Sequence, residues 1–127
     1  MKHKDISKKI IGAAYKVYNT LGFGFLESVY EKSLLIEIEK SGLNVTRQFP
    51  INVFYDEQRV GEFYADIFVE NKVIVELKSV KTLHKIHQVQ LVNYLVATKT
   101  DIGLLINFGA NGVEVKRKCR ILPLISK

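Results

Sequence analysis

The sequence predicts an α/β domain in which a mixed central β-sheet is flanked by helices. Two segments with helical spacing fill the first 40 residues, strand-like segments dominate residues 45–80, and a third helical segment precedes two further strands. The resulting order, α, α, β, β, β, α, β, β, is typical of helices layered on a sheet. The chain has 127 residues, 47% of them hydrophobic and 25% charged, so we expect a single domain over residues 1–127.

Two helices are predicted before residue 41. Apolar residues recur at helical spacing over Asp5–Thr20 and over about Leu26–Lys40. The break between them, Leu21–Phe25, contains two glycines. Asp5 or Ser7 is the candidate cap at the start of the first helix.

The strand-like segments alternate apolar and polar residues and are rich in β-branched and aromatic side chains. They are Val45–Tyr55, Val60–Val69, Val73–Val80, Ile102–Phe108 and Val113–Cys119. Pro50 indicates an edge or a bulge for the first strand, because proline cannot donate a hydrogen bond to a central ladder. A third helix is predicted over about Ile86–Thr98, between the third and fourth strands.

The charge of the chain is positive and unevenly distributed. The net charge of +6 is the total of +2 over residues 1–40, −2 over residues 41–80 and +6 over residues 81–127. A basic surplus indicates either a polyanionic partner such as nucleic acid or simply a well-solvated surface. The basic group Lys116–Arg120, with Lys81 and Lys85, is either a phosphate-tracking surface or an edge strand whose lysines block pairing.

Composition excludes several classes of protein. Cys119 is the only cysteine, so no internal disulfide forms, which favours a reducing compartment. The polar start does not resemble a secretory signal, and no apolar run approaches the roughly 18 residues of a membrane-spanning helix. No spacing of histidine and cysteine suggests zinc or an iron–sulfur cluster. We therefore expect a cytoplasmic protein without a membrane partner.

The segment Tyr64–Ser79 carries the most informative pattern. Side chains two residues apart share a face of a strand, so Glu76 and Lys78 point the same way. If Glu70–Lys72 form a three-residue loop, Asp66 lies directly opposite Glu76 on the neighbouring strand. A slip of one residue would place Asp66 on the other face. The sequence thus predicts two adjacent carboxylates beside an amine.

Adjacent carboxylates repel each other unless a cation or a shared proton relieves them. A hard cation such as Mg²⁺ or Mn²⁺ suits Asp66, Glu76, water and the main-chain carbonyl of Leu77. Lys78 then either offsets the charge of a phosphate or orients a water for attack. The alternative is an exposed hairpin on which Glu76 and Lys78 form a surface ion pair worth at most about 1 kcal/mol. The apolar sequence around Glu76 indicates an inner strand and argues against this alternative.

These residues resemble a known pattern. Asp66 followed by Glu76-Leu77-Lys78 is similar to the core signature of the PD-(D/E)xK nuclease superfamily. Within it the chain resembles the small GxxExxY family, whose naming motif is matched by Gly24–Tyr30 and whose late strand is matched by Leu104–Gly109. Ala65 departs from the superfamily name, which has proline there. The resemblance implies a restriction-endonuclease-like α-β-β-β-α-β core and Mg²⁺-dependent hydrolysis of phosphodiester bonds in DNA.

The resemblance also implies roles for residues on two helices. Glu27 completes the metal shell directly or through water, or is merely an acid favoured by the helix dipole. Tyr30 contacts nucleic acid or packs in the core. Gln90 and Tyr94 match the Gln-x-x-x-Tyr motif of the RecB-like branch, which steadies the substrate and the active-site lysine; otherwise Tyr94 is core and Gln90 a surface amide. His87 is a phosphate contact, or an exposed or capping histidine.

We therefore predict a metal-dependent nuclease that acts on nucleic acid, with DNA as the expected substrate. The predicted catalytic residues are Glu27, Asp66, Glu76, Lys78 and Gln90, and the predicted substrate-positioning residues are Tyr30, His87 and Tyr94. Because 127 residues leave little surface for sequence recognition, a homodimer or a protein partner is plausible. The alternatives are a nucleic-acid-binding module without turnover and a protein-interaction domain, both retaining the fold.

Overall fold

The computed structural model describes residues 2–120, which form three helices and five strands. The helices are α1 (Lys4–Leu21), α2 (Glu27–Lys40) and α3 (Lys85–Thr98), and the strands are β1 (Val45–Tyr55), β2 (Gln58–Val69), β3 (Val73–Lys78), β4 (Ile102–Gly109) and β5 (Gly112–Cys119). The predicted order is confirmed, and α2-β1-β2-β3-α3-β4 is the expected core.

Two strand boundaries differ from the prediction by two residues, and two others, the end of β4 and the start of β5, differ by one. β2 begins at Gln58 rather than Val60, because only Asp56 and Glu57 form the turn after β1. Both have positive φ, 52° and 63°, which two-residue hairpin turns of type I′ require. β3 ends at Lys78 rather than Val80, because the backbone of Val80 forms its hydrogen bonds with the Asn107 side chain of β4 and not with the backbone of a neighbouring strand.

The five strands form one mixed sheet in the order β1-β2-β3-β4-β5. Neighbouring strands are antiparallel except β3 and β4, which are parallel and joined through α3. β1 is an edge strand, in agreement with Pro50. β3 lies in the interior of the sheet, as its apolar sequence predicts.

Helices cover both faces of the sheet, and the alternation along β3 assigns its side chains to them. Val73, Val75 and Leu77 pack with α1 and α2, whereas Ile74 packs with α3. α3 lies close to β4 because Gly103 has no side chain: a Cβ there would come within 2.7 Å of Leu91. Within residues 2–120, no helix combines the length and apolar character needed to cross a membrane.

The predicted cap of α1 is wrong. The N-cap is His3, whose side chain makes no capping bond, and both Asp5 and Ser7 lie inside the helix. Ser7 is buried there because it falls on the apolar face of α1. The helix ends at Leu21, at the start of the predicted break, and Gly22 is its C-cap with a φ of 73°.

Candidate active site

The candidate site lies where β2 and β3 separate. The two strands pair only from Val69 and Val73 to Ile67 and Val75. Beyond that point β2 stays paired with β1, and β3 stays paired with β4. Asp66 is therefore the first residue of β2 without a ladder partner on β3, and Glu76 holds the corresponding place on β3.

The two carboxylates take over the hydrogen bonds that the ladder no longer supplies. The Asp66 amide donates to Oε2 of Glu76 at 2.8 Å, and the Leu77 amide donates to Oδ2 of Asp66, also at 2.8 Å. The loop after β2 has three residues, and the register predicted from it is confirmed. Each carboxylate thus has one oxygen tied to the opposite strand, and its second oxygen forms no such cross-strand bond.

The pair is costly to ionise in this setting. Burial raises the pKa of Asp66, and repulsion from two acids of α2 raises it further, while the Leu77 amide and the Lys78 ammonium lower it. Burial also raises the pKa of Glu76 to about 8, and the Asp66 carboxylate is the second cause. At neutral pH the pair therefore keeps a proton unless a cation replaces it.

Lys78 lies on the same face of β3 as Glu76 and is partly buried. Its charge lowers the pKa of both carboxylic acids. Among residues 2–120 it forms neither a hydrogen bond nor an ion pair within 4.0 Å, so the surface ion pair with Glu76 is not formed. Its ammonium group therefore faces the carboxylates without being tied to them.

A second acid reaches the pair from α2, and the sequence did not single it out. Glu31 lies on the same helix face as the predicted Glu27, but it is buried and contacts the Arg47 guanidinium. Nε2 of Gln48 donates to Oε1 of Glu31 at 3.0 Å and lies 3.5 Å from Oδ1 of Asp66. The amide thus connects α2 to the carboxylate pair.

Gln48 makes this connection through an unusual backbone conformation. Its φ is 53°, in the left-handed region that glutamine seldom adopts, although it lies within β1. Strain of this kind persists where surrounding contacts hold it, and such positions cluster at functional sites. No sequence pattern predicts this backbone conformation of Gln48. Glu31, by contrast, could have been identified from the sequence, because it is a charged residue within the apolar stripe of α2.

The predicted residues of the GxxExxY motif differ in position. Glu27 is exposed at the start of α2, close enough for its charge to raise the pKa of Asp66. Tyr30 is fully buried, stacks on Phe108 at 4.4 Å and donates its hydroxyl proton to the Gly22 carbonyl. The predicted substrate contact of Tyr30 is therefore wrong, and packing is its role.

Helix α3 brings Gln90 and Tyr94 to the other side of the pair. Nε2 of Gln90 donates to the Tyr94 hydroxyl at 2.8 Å. Burial raises the pKa of Tyr94, and the Glu76 carboxylate raises it further, so the phenol lies near that acid. Gln90 is exposed, whereas Tyr94 contributes to the core as well as to the site.

His87 is a capping residue of α3. Its Nδ1 accepts a hydrogen bond from the His84 amide at 3.3 Å, which closes the first turn of the helix. Burial lowers the pKa of His87, and the nearby Lys78 ammonium lowers it further. The capping alternative is thus the one that the structure supports.

A buried amide on β4 fixes the chain directly after Lys78. Asn107 accepts from the Val80 amide at 2.9 Å and donates to the Val80 carbonyl at 2.8 Å. The Ser79 hydroxyl donates to the Phe25 carbonyl at 3.1 Å, which ties the same segment to the loop before α2. These bonds hold the end of β3, and hence Lys78, in one place.

The residues at the fork fit a hard divalent cation. Burial is the main reason why both carboxylates have raised pKa values, and a bound cation would favour their charged forms. Within the described part of the chain, no three side chains of His, Cys, Asp or Glu come together as a ready ligand set. Mg²⁺ is usually bound by only one or two carboxylates, with water and substrate phosphate completing its shell, so Asp66 and Glu76 suffice.

The residues of the predicted basic group have different surroundings: two arginines make structural contacts, and one lysine lies at a surface depression. Arg117 donates to the Lys2 carbonyl at 2.6 Å, and Arg120 forms an ion pair with Asp101 at 2.9 Å. These two arginines therefore fasten β5 to its neighbours. Lys118 instead lines a shallow depression beside α3.

Comparison with known proteins identifies the fold and the family. A family model of the PD-(D/E)XK nuclease superfamily matches residues 4–118. The solved structure described as "Crystal structure of SSO0001" aligns with a TM-score of 0.60 at 12% identity, over 96% of this chain and 59% of that one. This likeness concerns the fold alone, and the chain spans about three fifths of that protein. None of the curated proteins compared with the chain matches it. Because the family match covers nearly all of the described residues, the chain belongs to the PD-(D/E)XK nuclease superfamily.

Proposed function

We propose that this protein is a divalent-metal-dependent nuclease that hydrolyses phosphodiester bonds in DNA. One observation carries the proposal: the fork between β2 and β3 holds the buried carboxylate of Glu76 and the partly buried carboxylate of Asp66 beside an amine that has no partner in residues 2–120. Burying two acids together without a compensating charge is unfavourable to folding, so a functional reason for the arrangement is expected.

The proposed metal ligands are the carboxylate oxygens of Asp66 and Glu76 that make no bond across the fork, together with the Leu77 carbonyl. Glu27, exposed at the margin of the site, is proposed to assist through water. Mg²⁺ or Mn²⁺ bound there would supply Lewis-acid stabilisation of the phosphate charge and a more acidic water, worth several kcal/mol.

The protein's own groups have separate tasks in this proposal. The Lys78 ammonium holds the attacking water and offsets the charge that develops on the phosphate oxygens. The Gln90 amide fixes the Tyr94 hydroxyl, and the two together position Lys78 and the substrate backbone. Glu31 and Gln48 hold Asp66 from the opposite side.

We further propose membership of the GxxExxY group, on the strength of Gly24, Glu27 and Tyr30. Gly24 has a φ of 116°, which a residue with a side chain rarely adopts, and the Tyr30 hydroxyl accepts from the Phe25 amide at 3.4 Å. The motif thus shapes the loop that leads Glu27 to the site. A cytoplasmic location and a homodimer or protein partner are part of the same proposal.

The test is cleavage of single-stranded and duplex DNA with Mg²⁺ or Mn²⁺, and with EDTA as the metal-free control. Asp66→Asn and Lys78→Ala should each abolish cleavage while the far-UV circular dichroism stays unchanged. Matched controls are Asp56→Asn, in the exposed turn before β2, and Lys72→Ala, in the exposed loop before β3; both should cleave as the wild type does.

Three results would contradict the proposed nuclease activity at this site. Salt-sensitive DNA binding without metal-dependent cleavage would indicate a binding module that keeps the fold. Absence of DNA affinity at moderate salt would indicate a protein-interaction domain. Cleavage that survives Asp66→Asn would place the activity elsewhere or in a contaminant.

A further inference from the structure

An uncharged groove of about 870 Å³ adjoins the carboxylate pair on the side of α3. The hairpin of β1 and β2 forms one wall with Phe54 and Phe63, and α3 forms the other with Ile86. All three side chains are more than 40% exposed. The amides Asn52 and Asn93 also line the groove, and none of its lining residues is charged. Exposed aromatic rings beside amides form a surface suited to a flat, hydrogen-bonding ligand.

The groove is continuous with the proposed active site. Gln90 and Tyr94 line it and also stand beside the carboxylate pair. The ring of Phe63 lies 5.8 Å from the ring of Tyr94, between centroids. A ligand in the groove therefore lies directly against the side chains that flank Glu76.

Positive charges lie at the far side of the groove. A shallow depression next to it contains Lys85, at the start of α3, and Lys118 of β5. The two concavities share Val89 and Asn93, so they meet on the outward surface of α3. Along this surface, the carboxylate pair is therefore followed by the uncharged aromatic groove and then by two ammonium groups.

We propose that the groove takes the unpaired bases of single-stranded nucleic acid, with the strand's phosphates at Lys78, beside the carboxylate pair, and at Lys85 and Lys118. This inference rests on the proposed function, because it assigns the substrate of that same site. Bases stack on exposed aromatic rings and hydrogen-bond to amides only when no complementary strand hides their faces and edges. A second copy of the chain is disfavoured in the groove because it would bring another protein with a net charge of +6 against Lys85 and Lys118, so a homodimer would form through another surface.

The experiment measures fluorescence anisotropy of labelled strands of about 12 nucleotides in EDTA, so that binding is independent of cleavage. The probes are oligo(dT), oligo(U), an abasic strand with the same phosphates and a blunt duplex. Oligo(dT) or oligo(U) should bind about tenfold more tightly than the abasic strand and the duplex. Oligo(dT) and oligo(U) differ in the thymine methyl group as well as in the sugar, so oligo(dU) is included, and its comparison with oligo(U) identifies the sugar that the site accepts.

Substitutions in the groove test whether the difference in affinity between the base-containing strands and the abasic strand depends on the groove. Phe54→Ala and Phe63→Ala should each weaken binding of the preferred strand about tenfold and leave the abasic strand unaffected. Phe54 is 62% exposed, so its removal leaves folding intact even if Phe63→Ala disturbs Tyr94. Tyr55→Ala is the matched control, since Tyr55 is 77% exposed on the same hairpin outside the groove.

Equal affinity for oligo(dT), oligo(U) and the abasic strand, or no effect of Phe54→Ala, would overturn the inference. So would a change from dimer to monomer in Phe54→Ala on analytical ultracentrifugation with unaltered strand affinity, because the groove would then be a dimer contact. Base-dependent binding that persists without any cleavage in Mg²⁺ or Mn²⁺ would refute the nuclease activity and leave the groove assignment standing.

Discussion

Replacing Glu76 with glutamine should stabilise the metal-free protein, and more so as the pH rises. Glutamine keeps an oxygen that accepts the Asp66 amide proton, so the hydrogen bond at the fork survives. The substitution removes a carboxylic acid whose pKa is raised to about 8 by burial and by the Asp66 carboxylate. The wild type therefore has an ionisation cost on folding that the variant lacks.

The sign and size follow from the two pKa values. Below its ordinary pKa of 4.5, Glu76 is protonated in both the folded and the unfolded state, and its titration does not reduce the free energy of unfolding. As the pH rises from there to about 8, the unfolded state ionises while the folded state keeps its proton, so the free energy of unfolding falls. Each pKa unit corresponds to about 1.4 kcal/mol. Between about pH 5 and about pH 9, the free energy of unfolding of the wild type should fall relative to Glu76→Gln by on the order of 4 kcal/mol.

The assay is urea unfolding in EDTA at several pH values, followed by far-UV circular dichroism. Comparing the two proteins at each pH cancels the titration of distant groups. Glu114→Gln, an exposed change on β5, is the control and should follow the wild type at every pH. A difference between Glu76→Gln and wild type that stays constant over this range would refute the raised pKa of Glu76.

Metal should restore the free energy of unfolding that the wild type loses at alkaline pH. In the proposed site Mn²⁺ would bind only the folded state of the wild type, so its addition at alkaline pH should raise the free energy of unfolding by an amount that grows with the logarithm of its concentration. Glu76→Gln lacks one of the two carboxylates and should gain much less. Equal stabilisation of both proteins by Mn²⁺ would show that the ion binds elsewhere.

Three further substitutions test the surroundings of the site. Gly103→Ala should cost about 1–3 kcal/mol in urea unfolding, because its Cβ would come within 2.7 Å of Leu91. Asn107→Ala should cost about 2–4 kcal/mol in the same assay, since it leaves both backbone groups of Val80 unpaired. Tyr94→Phe should cost about 1 kcal/mol and also lower kcat for DNA cleavage, because the Gln90 amide loses the phenol oxygen to which it donates. Unchanged unfolding midpoints in the first two variants, or an unchanged kcat in the third, would contradict these contacts.

The central part of the site could be predicted because it depends on local rules. The period of two along a strand assigns Glu76 and Lys78 to one face, and a three-residue loop sets Asp66 opposite Glu76. The apolar sequence of β3 indicated an interior strand, and the sheet order agrees. These relations involve residues close in sequence, so no knowledge of distant contacts was needed.

The surroundings of the pair could not be predicted in the same way. Gln48 lies in a left-handed conformation that its sequence does not favour, and Glu31 meets it from a different helix. Tyr30 fits a motif that suggested substrate contact, yet Phe108 and the Gly22 carbonyl enclose it. Each depends on where α2 packs on the sheet, which is a property of the assembled core.

The sequence by itself determined the α/β order, the interior position of β3 and the adjacency of two acids across a hairpin, because hydrophobic period and loop length act over a few residues. Only the tertiary structure decided that β2 and β3 part at those acids, that their pKa values rise, and that an aromatic groove opens beside them. Burial and electrostatic repulsion depend on all of the groups packed around a side chain, and those groups come from segments far apart in the chain.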